Sequence, residues 1–555
     1  KLGAQWNFSD SGQIYGFWSK GYRSGGFNFR NAKPFFIPPG PTREEENNTY
    51  EVGLKTDFAD GRVRLNVAAF YNEITDMQRE LNIGDPDVIV LQATLNAGDV
   101  TIQGAELDVV ALLTDTFSIN ASVGVQDGEY DSIDPFVLQL EAILEAAGQP
   151  STVIGPDLPR LAPSNYSVGF SWDIPAGSMG LFNVAGSYSY REGRYIWLPP
   201  GFAPGIPATG LNLTVALGGD MQAENYGIFW NNDFYLGDSW VLSAGIRYTD
   251  ESKKAQIITA PPGSPCRDVV TFNCTFDNLQ GDWDNITPKL GAQWNFSDSG
   301  QIYGFWSKGY RSGGFNFRNA KPFFIPPGPT REEENNTYEV GLKTDFADGR
   351  VRLNVAAFYN EITDMQRELN IGDPDVIVLQ ATLNAGDVTI QGAELDLVAL
   401  LTDNFSINAS VGVQDGEYDR IDPFVLQLEA ILEAAGQPST VIGPDLPRLA
   451  PSNYSLGFSW DIPAGSMGIF NVAGNYSYRE GHPYNDANTE IFDDQERIDA
   501  SINWFSPGDS WSVSLYGKNL SDEANWGNLT SIAGLWTAGP MQKGRFLGME
   551  VNWRY

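Results

Sequence analysis

Residues 117–126 read FSINASVGVQ, and this stretch decides the fold. Apolar residues at odd positions, from Phe117 to Val125, alternate with polar or small residues at even positions. A period of two is typical of a β-strand with one apolar and one polar face. Residues 63–71, 242–248 and 511–515 alternate in the same way. The sequence therefore predicts an all-β protein.

The predicted strands are long, and their connections alternate between short and long. Globular strands average about 5–6 residues, whereas membrane-spanning strands need about 9–11. Tight turns such as 9–12 and 59–62 alternate with long loops at roughly 23–46, 80–97, 129–162, 192–221 and 253–282. Transmembrane barrels have short periplasmic turns and long extracellular loops. Counting back from the C-terminus gives 21 strands. We therefore predict a transmembrane antiparallel β-barrel that has about 22 strands once one further strand is added.

Composition argues against several function classes. The 70 acidic and 35 basic residues give a net charge of −35, which disfavours nucleic-acid binding because phosphate contacts need Lys and Arg. A single His argues against His-ligated zinc and His-based acid–base catalysis. No P-loop, nucleophile elbow or HExxH motif is present. We predict no enzyme activity, no catalytic residue, no metal site and no cofactor.

A long internal repeat divides the chain. Residues 1–193 recur as 289–481, and the copies differ at six positions: Val109/Leu397, Thr116/Asn404, Ser132/Arg420, Val168/Leu456, Leu181/Ile469 and Ser187/Asn475. A recent duplication, a recombination product and a sequence-assembly error all remain open. We predict a first barrel segment over 1–193 that starts in mid-strand, a long extracellular loop over 194–221, and a C-terminal barrel segment over 222–555.

One long loop, and its copy, contains a predicted helix. Asp134 can cap it, Pro135 suits its first position, and apolar residues from Phe136 to Ala147 recur at helical spacing. The copy begins at Asp422 and Pro423. We expect the helix to pack onto the extracellular rim, with a partner-binding helix as the alternative.

Three smaller features lie in the loops. Cys266 and Cys274 share one loop, which favours a disulfide over free thiols or a metal pair. His482 lies beside Pro483, and we expect it to be exposed. The acidic residues of 485–494 favour a solvated loop over a Ca²⁺ site, because the spacing of an EF-hand is missing.

Five segments, in the order in which the family has them, carry a family resemblance. They are PKLG at 288–291 with IYGFWSKGYRSGGFN at 302–316, YEVGLK at 338–343, NAG at 384–386 with GAEL at 392–395, GKNLSDE at 517–523, and AGIRYT at 244–249. On these segments the chain resembles TonB-dependent receptors, the plugged 22-strand transporters of outer membranes. The resemblance covers nearly the whole chain, but the plug and its TonB-contacting box are not among the matched parts.

The resemblance implies a function and partners. It implies a receptor in the outer membrane of a Gram-negative bacterium that imports a scarce solute, most often a ferric siderophore. Outer-membrane lipid and a ferric chelate are the implied partners. The TonB complex is implied only where a missing N-terminal part supplies a plug. A passive pore without a plug, and a soluble all-β binding protein, are the alternatives.

The final strand resembles the signal that the outer-membrane barrel assembly machinery reads. Apolar residues from Leu547 to Trp553 alternate with polar residues or Gly, and the aromatic Tyr555 follows. An amphipathic closing strand that carries no signal is the alternative.

Two copies of one loop supply the candidate ligand-binding residues. They are Arg23, Phe27 and Arg30, with Arg311, Phe315 and Arg318 in the second copy. Arginine can hold an anionic ferric chelate or a carboxylate bidentately, and an aromatic ring can stack on a flat ligand. The alternative, which we favour, is that Arg311 and Phe315 brace the loop onto the barrel rim.

Overall fold

The structure is a computed structural model of the 555-residue chain. It describes residues 1–27, 40–85, 88–146, 154, 158, 161–175, 177, 181–192, 195–197, 214–259, 275–316, 318–321, 327–373, 376–434, 436, 439–508, 510–527, 529–532, 536–538 and 541–554. Arg30, Cys266, Cys274 and Tyr555, and the side chain of Arg318, lie outside the described residues.

The described residues form 27 strands, two α-helices and one short 3₁₀ helix. The strands of the first part are β1 Leu2–Ser9, β2 Gly12–Arg23, β3 Glu45–Phe58, β4 Val63–Asp85, β5 Val88–Leu112, β6 Phe117–Ile133, β7 Ser164–Pro175, β8 Leu181–Arg191, β9 Tyr195–Trp197, β10 Thr214–Leu236 and β11 Trp240–Thr259. The second part has β12 Thr275–Ser297, β13 Gly300–Arg311, β14 Arg318–Lys321, β15 Glu333–Phe346, β16 Val351–Asp373, β17 Val376–Thr402, β18 Phe405–Ile421, β19 Ser452–Pro463 and β20 Ile469–Arg479. The last strands are β21 His482–Pro483, β22 Ile491–Phe492, β23 Gln495–Phe505, β24 Trp511–Lys518, β25 Thr530–Ile532, β26 Trp536–Ala538 and β27 Phe546–Trp553. The helices are α1 Pro135–Ala146, α2 Pro423–Ala434 and the 3₁₀ helix Gly465–Met467.

One antiparallel sheet contains 23 of the described strands. Two of them, β9 and β14, are short and pair only with the upper part of β10. The other 21 form one continuous ladder in which each strand pairs with its predecessor, so the predicted strand count and the barrel fold class are confirmed. The first and last strands of an odd antiparallel series run in the same direction. Among the described residues, no pairing joins β1 to β27.

The two sequence copies occupy equivalent places in this ladder. Strand β1 corresponds to the lower half of β12, and β8 corresponds to β20. The copies are therefore ten ladder positions apart. Because ten is even, each strand of the second copy runs in the same direction as its counterpart, and both copies place their long loops at the same end.

The strands present an apolar face that is exposed. Leu290, Val340 and Leu456 are examples, and each is more than half exposed. Tryptophans lie beside the short turns, at Trp172, Trp240, Trp294, Trp460, Trp511 and Trp553. A second row of tyrosines lies six to eight residues further up the strands, and it includes Tyr166, Tyr248, Tyr338 and Tyr454. An apolar band between two aromatic rows is typical of a transmembrane barrel.

The predicted boundaries of three loops are wrong because the strands extend beyond this band. The predicted loop 80–97 is instead a hairpin of β4 and β5, interrupted only at residues 86–87. The predicted loop 253–282 includes the upper ends of β11 and β12, and β10 begins at Thr214, within the predicted loop 192–221. Above the band the environment of the strands is set by loops and helices instead of lipid, as where Leu369 and Leu383 pack against α2, so the regular alternation that marks a strand is lost there.

The predicted helix is confirmed in both copies. Asp134 accepts a hydrogen bond from the backbone N–H of Phe136 at 2.8 Å, and Asp422 caps Phe424 at the same distance. In the second copy, α2 buries Val425 and Leu428 against residues of β16 and β17, including Leu369 and Leu383. In the described part of the chain, no helix combines the length and apolarity needed to cross a membrane.

A glycine within β17 allows a close approach between two backbones. Gly386 has φ +150°, and a Cβ placed there would collide with the carbonyl oxygen of Arg420 on β18. Residues other than glycine rarely adopt this backbone conformation. Gly98 of the first copy has the same conformation.

We predict that Gly386→Ala lowers the free energy of unfolding by about 1–3 kcal/mol, because the alanine must be strained or β18 must shift. The measurement is thermal unfolding of the purified protein in detergent. Gly314→Ala is the matched control, since a Cβ there meets nothing within 4 Å. Equal stability of the two variants would contradict the prediction.

Candidate functional site: the extracellular rim

A buried asparagine joins the long loop before β15 to the top of the barrel. Asn384 accepts a hydrogen bond from the Arg331 N–H at 2.9 Å. Its amide donates to the carbonyl oxygens of Arg331 and Asp364 at 3.1 and 2.8 Å. One side chain therefore satisfies three backbone groups on two segments. This contact explains the asparagine of the NAG segment, as the close approach at Gly386 explains its glycine.

The Arg331 side chain ties this loop to the helix. Its guanidinium donates to both carboxylate oxygens of Asp364 at 2.8 and 3.1 Å, and to Asp422 at 2.5 Å. Asp422 is only 7% exposed, and its other oxygen caps α2. Charge-assisted hydrogen bonds of this kind are stronger than neutral ones. Arg331, Asp364 and Asp422, which we call the rim clasp, thus join a loop, a strand and a helix.

A second set of contacts braces the start of the same loop. Lys253 donates to Ser312 Oγ at 2.7 Å and to the Gly313 carbonyl at 2.8 Å. Trp283 donates to the Thr330 carbonyl at 3.3 Å, and its ring meets Phe315 edge-on with centroids 6.2 Å apart. Phe315 is therefore packed against the upper half of β12. The geometry favours a structural role for Phe315.

The first copy repeats the clasp but has a more exposed aromatic side chain. Arg43 contacts both Asp76 and Asp134, and Asn96 accepts from the Arg43 N–H at 2.8 Å. Phe27, however, is 63% exposed, and Arg23 is exposed as well. Arg311 is also exposed, so the copies differ mainly in their aromatic side chain.

One of the six sequence differences changes the charge beside the clasp. In the second copy, Arg420 binds Asp387 at 2.8 and 3.1 Å and reaches Asp364 at 3.5 Å. In the first copy, Ser132 instead donates to Asp99 at 2.9 Å. These residues lie above the tyrosine row. The Arg420 guanidinium holds the pKa of the Asp387 carboxyl below its usual value.

The connection between β20 and β23 packs onto the second copy. Arg367 binds Asp486 at 2.6 Å, and Asn488 accepts from the Asp445 N–H at 2.8 Å. The expectation that His482 is exposed is wrong. It is 2% exposed, its ring lies 5.4 Å from that of Phe492, and its Nδ1 is 2.9 Å from the Glu480 carbonyl. Burial lowers the pKa of this imidazole.

Two acidic residues of this connection make structural contacts. Asp486 binds Arg367, and Asp494 accepts a hydrogen bond from the backbone N–H of Gly481 at 2.8 Å. Within the described ranges, no three His, Cys, Asp or Glu side chains are arranged to hold a metal ion.

The structure brings only some of the candidate residues together. Arg23 and Phe27 lie at the top of β2, and Arg311 and Phe315 lie at the equivalent place above β13. Trp553 lies at the lower end of β27, beside Trp511. The roles proposed for Arg30 and Arg318, the disulfide and the assembly signal stay predictions. The rim clasp was not predicted, because Arg331 and Asp422 are 91 positions apart and the sequence pattern indicates only the helix-capping role of Asp422.

Fold and rim together define a transmembrane β-barrel whose extracellular loops are anchored by ion pairs. The family model described as "TonB dependent receptor-like, beta-barrel" matches residues 1–217 and 198–520. The chain belongs to this family, which occupies the outer membrane of Gram-negative bacteria. The two overlapping matches follow the two copies of the repeat.

Curated relatives and solved structures are similar to the chain. The "Probable TonB-dependent siderophore receptor PiuA" of Acinetobacter baumannii is 24% identical over 206 residues, which is 36% of this chain and 24% of the relative. The match thus spans about a quarter of that relative's length. The ferric yersiniabactin uptake receptor FyuA of Yersinia pestis has a TM-score of 0.62 at 15% identity, covering 99% of this chain and 76% of that one. The structure of PiuA gives 0.56 at 14% identity, covering 100% and 79%. These similarities establish the fold.

We predict that Arg420→Ser loosens α2, because Asp387 and the clasp residue Asp364 lose a neighbouring cation. Hydrogen exchange in α2 should become about two- to five-fold faster, as expected for a lost surface ion pair. Ser132→Arg should slow exchange in α1. Because each substitution removes the difference between positions 132 and 420, mass spectrometry separates the two helices, which are identical in sequence, through longer peptides that also include Thr116 or Asn404. Equal exchange in wild type and Arg420→Ser would contradict this role of Arg420.

The same variant has a predicted pH dependence. A carboxyl whose pKa is lowered by folding stabilises the folded state at pH values above the ordinary pKa of the group. This stabilisation is lost as the pH falls through the lowered pKa. Since Arg420 lowers the pKa of Asp387, α2 of Arg420→Ser should loosen at a higher pH than α2 of the wild type. Identical pH profiles in the two proteins would refute the coupling.

Proposed function

We propose that this chain forms the barrel of an outer-membrane receptor that takes up a ferric siderophore-type complex. The observation that carries the proposal is the pair Arg23 and Phe27, which are both exposed above β2 in a barrel of this family. A cation and an exposed ring suit a flat, anionic chelate. The relatives named above as siderophore receptors support this class of solute.

Each copy of the loop carries a candidate pair for ligand contact, Arg23 with Phe27 and Arg311 with Phe315. Phe315 packs against Trp283, and Phe27 is exposed. Arg43 and Arg331 each have two carboxylate partners, so neither is free to bind an anion without breaking its clasp. We therefore propose Arg23 and Phe27 as ligand contacts and the clasp arginines as loop anchors.

The proposed location and partners follow from the family. The chain would lie in the outer membrane of a Gram-negative bacterium, where lipid surrounds the apolar band and the barrel assembly machinery inserts the strands. The TonB complex would be a partner where a plug is present. The barrel would transport its solute without catalysing a reaction.

We predict that Arg23→Gln combined with Phe27→Ala weakens binding of a ferric chelate by about tenfold or more, because a charge-assisted contact and a stacking surface are lost. The assay measures binding of radiolabelled ferric siderophores to cells that lack other siderophore receptors. Arg62→Gln is the charge-matched control, because Arg62 lies in a short turn at the opposite end of the barrel.

Three outcomes separate the alternatives. Binding that falls only in the Arg23/Phe27 variant supports the proposal. Equal loss in Arg311→Gln combined with Phe315→Ala would assign the contact to both copies. Uptake that is proportional to concentration, without saturable binding, would indicate a passive pore instead.

A further inference from the structure

We propose that a concave site on the lipid-facing side of the last strands holds one hydrocarbon chain of a membrane lipid. The cavity has a volume of about 720 Å³ and lies across β19, β20, β23, β24 and β27. Its walls include Leu456, Phe458, Ile498, Ile502, Leu515 and Leu547. The inference rests on the membrane placement in the proposed function and is independent of the solute.

Register explains why the wall is concave here. One lateral row of paired residues runs Phe458, Gly474, Ala500, Gly517 and Leu547. The three central positions are small, whereas the rows above and below carry Ile498 and Ile502 on β23. The floor of the cavity is therefore lower than its surroundings. Phe458 and Leu547 bound it at the two ends.

The first copy provides an internal comparison. Gly186 corresponds to Gly474, and its row continues through Ile228, Tyr248 and Ile286. In the first copy, the large side chains Ile228 and Tyr248 thus occupy the positions that correspond to Ala500 and Gly517 in the cavity wall. The difference arises because β20 has β23 as its next neighbour, whereas β8 has β10.

The position of the cavity identifies its occupant. It lies between the tryptophan row, here Trp460, Trp511 and Trp553, and the tyrosine row, here Tyr454 and Tyr476. The medium at this depth is hydrocarbon. The outward-facing residues of the cavity are almost entirely apolar, so the shape and chemistry fit an acyl chain rather than a polar ligand.

The test uses a phospholipid with a photoreactive acyl chain, added to the full-length protein in nanodiscs. We expect the label to concentrate on peptides that contain residues 498–502 and 547–549. In the variant Ala500→Ile, the cavity wall has an isoleucine at the position that corresponds to Ile228 in the first copy. Because it displaces about two methylene groups of the bound chain, labelling there should fall roughly ten-fold.

Val340→Leu is the matched control, since Val340 faces lipid outside the cavity and is 56% exposed. Labelling spread evenly around the band, or unchanged in Ala500→Ile, would overturn the proposal. A dimer in native mass spectrometry that Ala500→Ile abolishes would overturn it in favour of a second copy. Absence of label from the whole apolar band would instead contradict the membrane placement. If the cavity is labelled but the protein binds no siderophore, only the proposed solute is contradicted.

Discussion

The backbone hydrogen bonds of the ladder are the constraint on which the rest of this structure depends. Within hydrocarbon, each backbone N–H and C=O must be satisfied inside the protein, and an antiparallel barrel achieves this between strands. Every strand then has one face toward lipid, which imposes the alternation seen from Phe117 to Val125. A repeat inserted into such a ladder is tolerated only if it preserves strand direction. The offset of 288 residues between the two copies corresponds to ten ladder positions, so all repeated loops emerge at the same end.

Identical sequence does not give identical surroundings in this barrel. The two copies repeat their internal contacts, such as the clasps at Arg43 and Arg331. They differ where a neighbour from outside the repeat reaches them. Trp283 on the upper half of β12 covers Phe315, while Phe27 is exposed. The differences in surroundings are therefore concentrated at the boundaries between repeated and unrepeated strands.

Sequence reasoning succeeded where structure is set by short-range pattern. The strand count and the capped helices depend on alternation and on neighbours a few residues apart, and both could be read directly. The extended hairpin of β4 and β5 was missed because its upper part lies above the lipid-facing band, where the regular alternation is lost. The burial of His482 and the rim clasp were missed because they depend on contacts made across long stretches of chain.

The rim shows how a strongly acidic protein can hold its loops with few cations. Each clasp places one arginine between two aspartates, and one of those aspartates also caps a helix. Removing the arginine would leave the buried Asp422 without its counter-ion, which is costly in a site that excludes water. Arg420 reduces the excess of negative charge in the second copy, whereas Ser132 leaves it in the first. Two helices of identical sequence are therefore held at one barrel mouth with unequal electrostatic support, and the first-copy helix, beside the exposed Phe27 loop, is the one held less firmly.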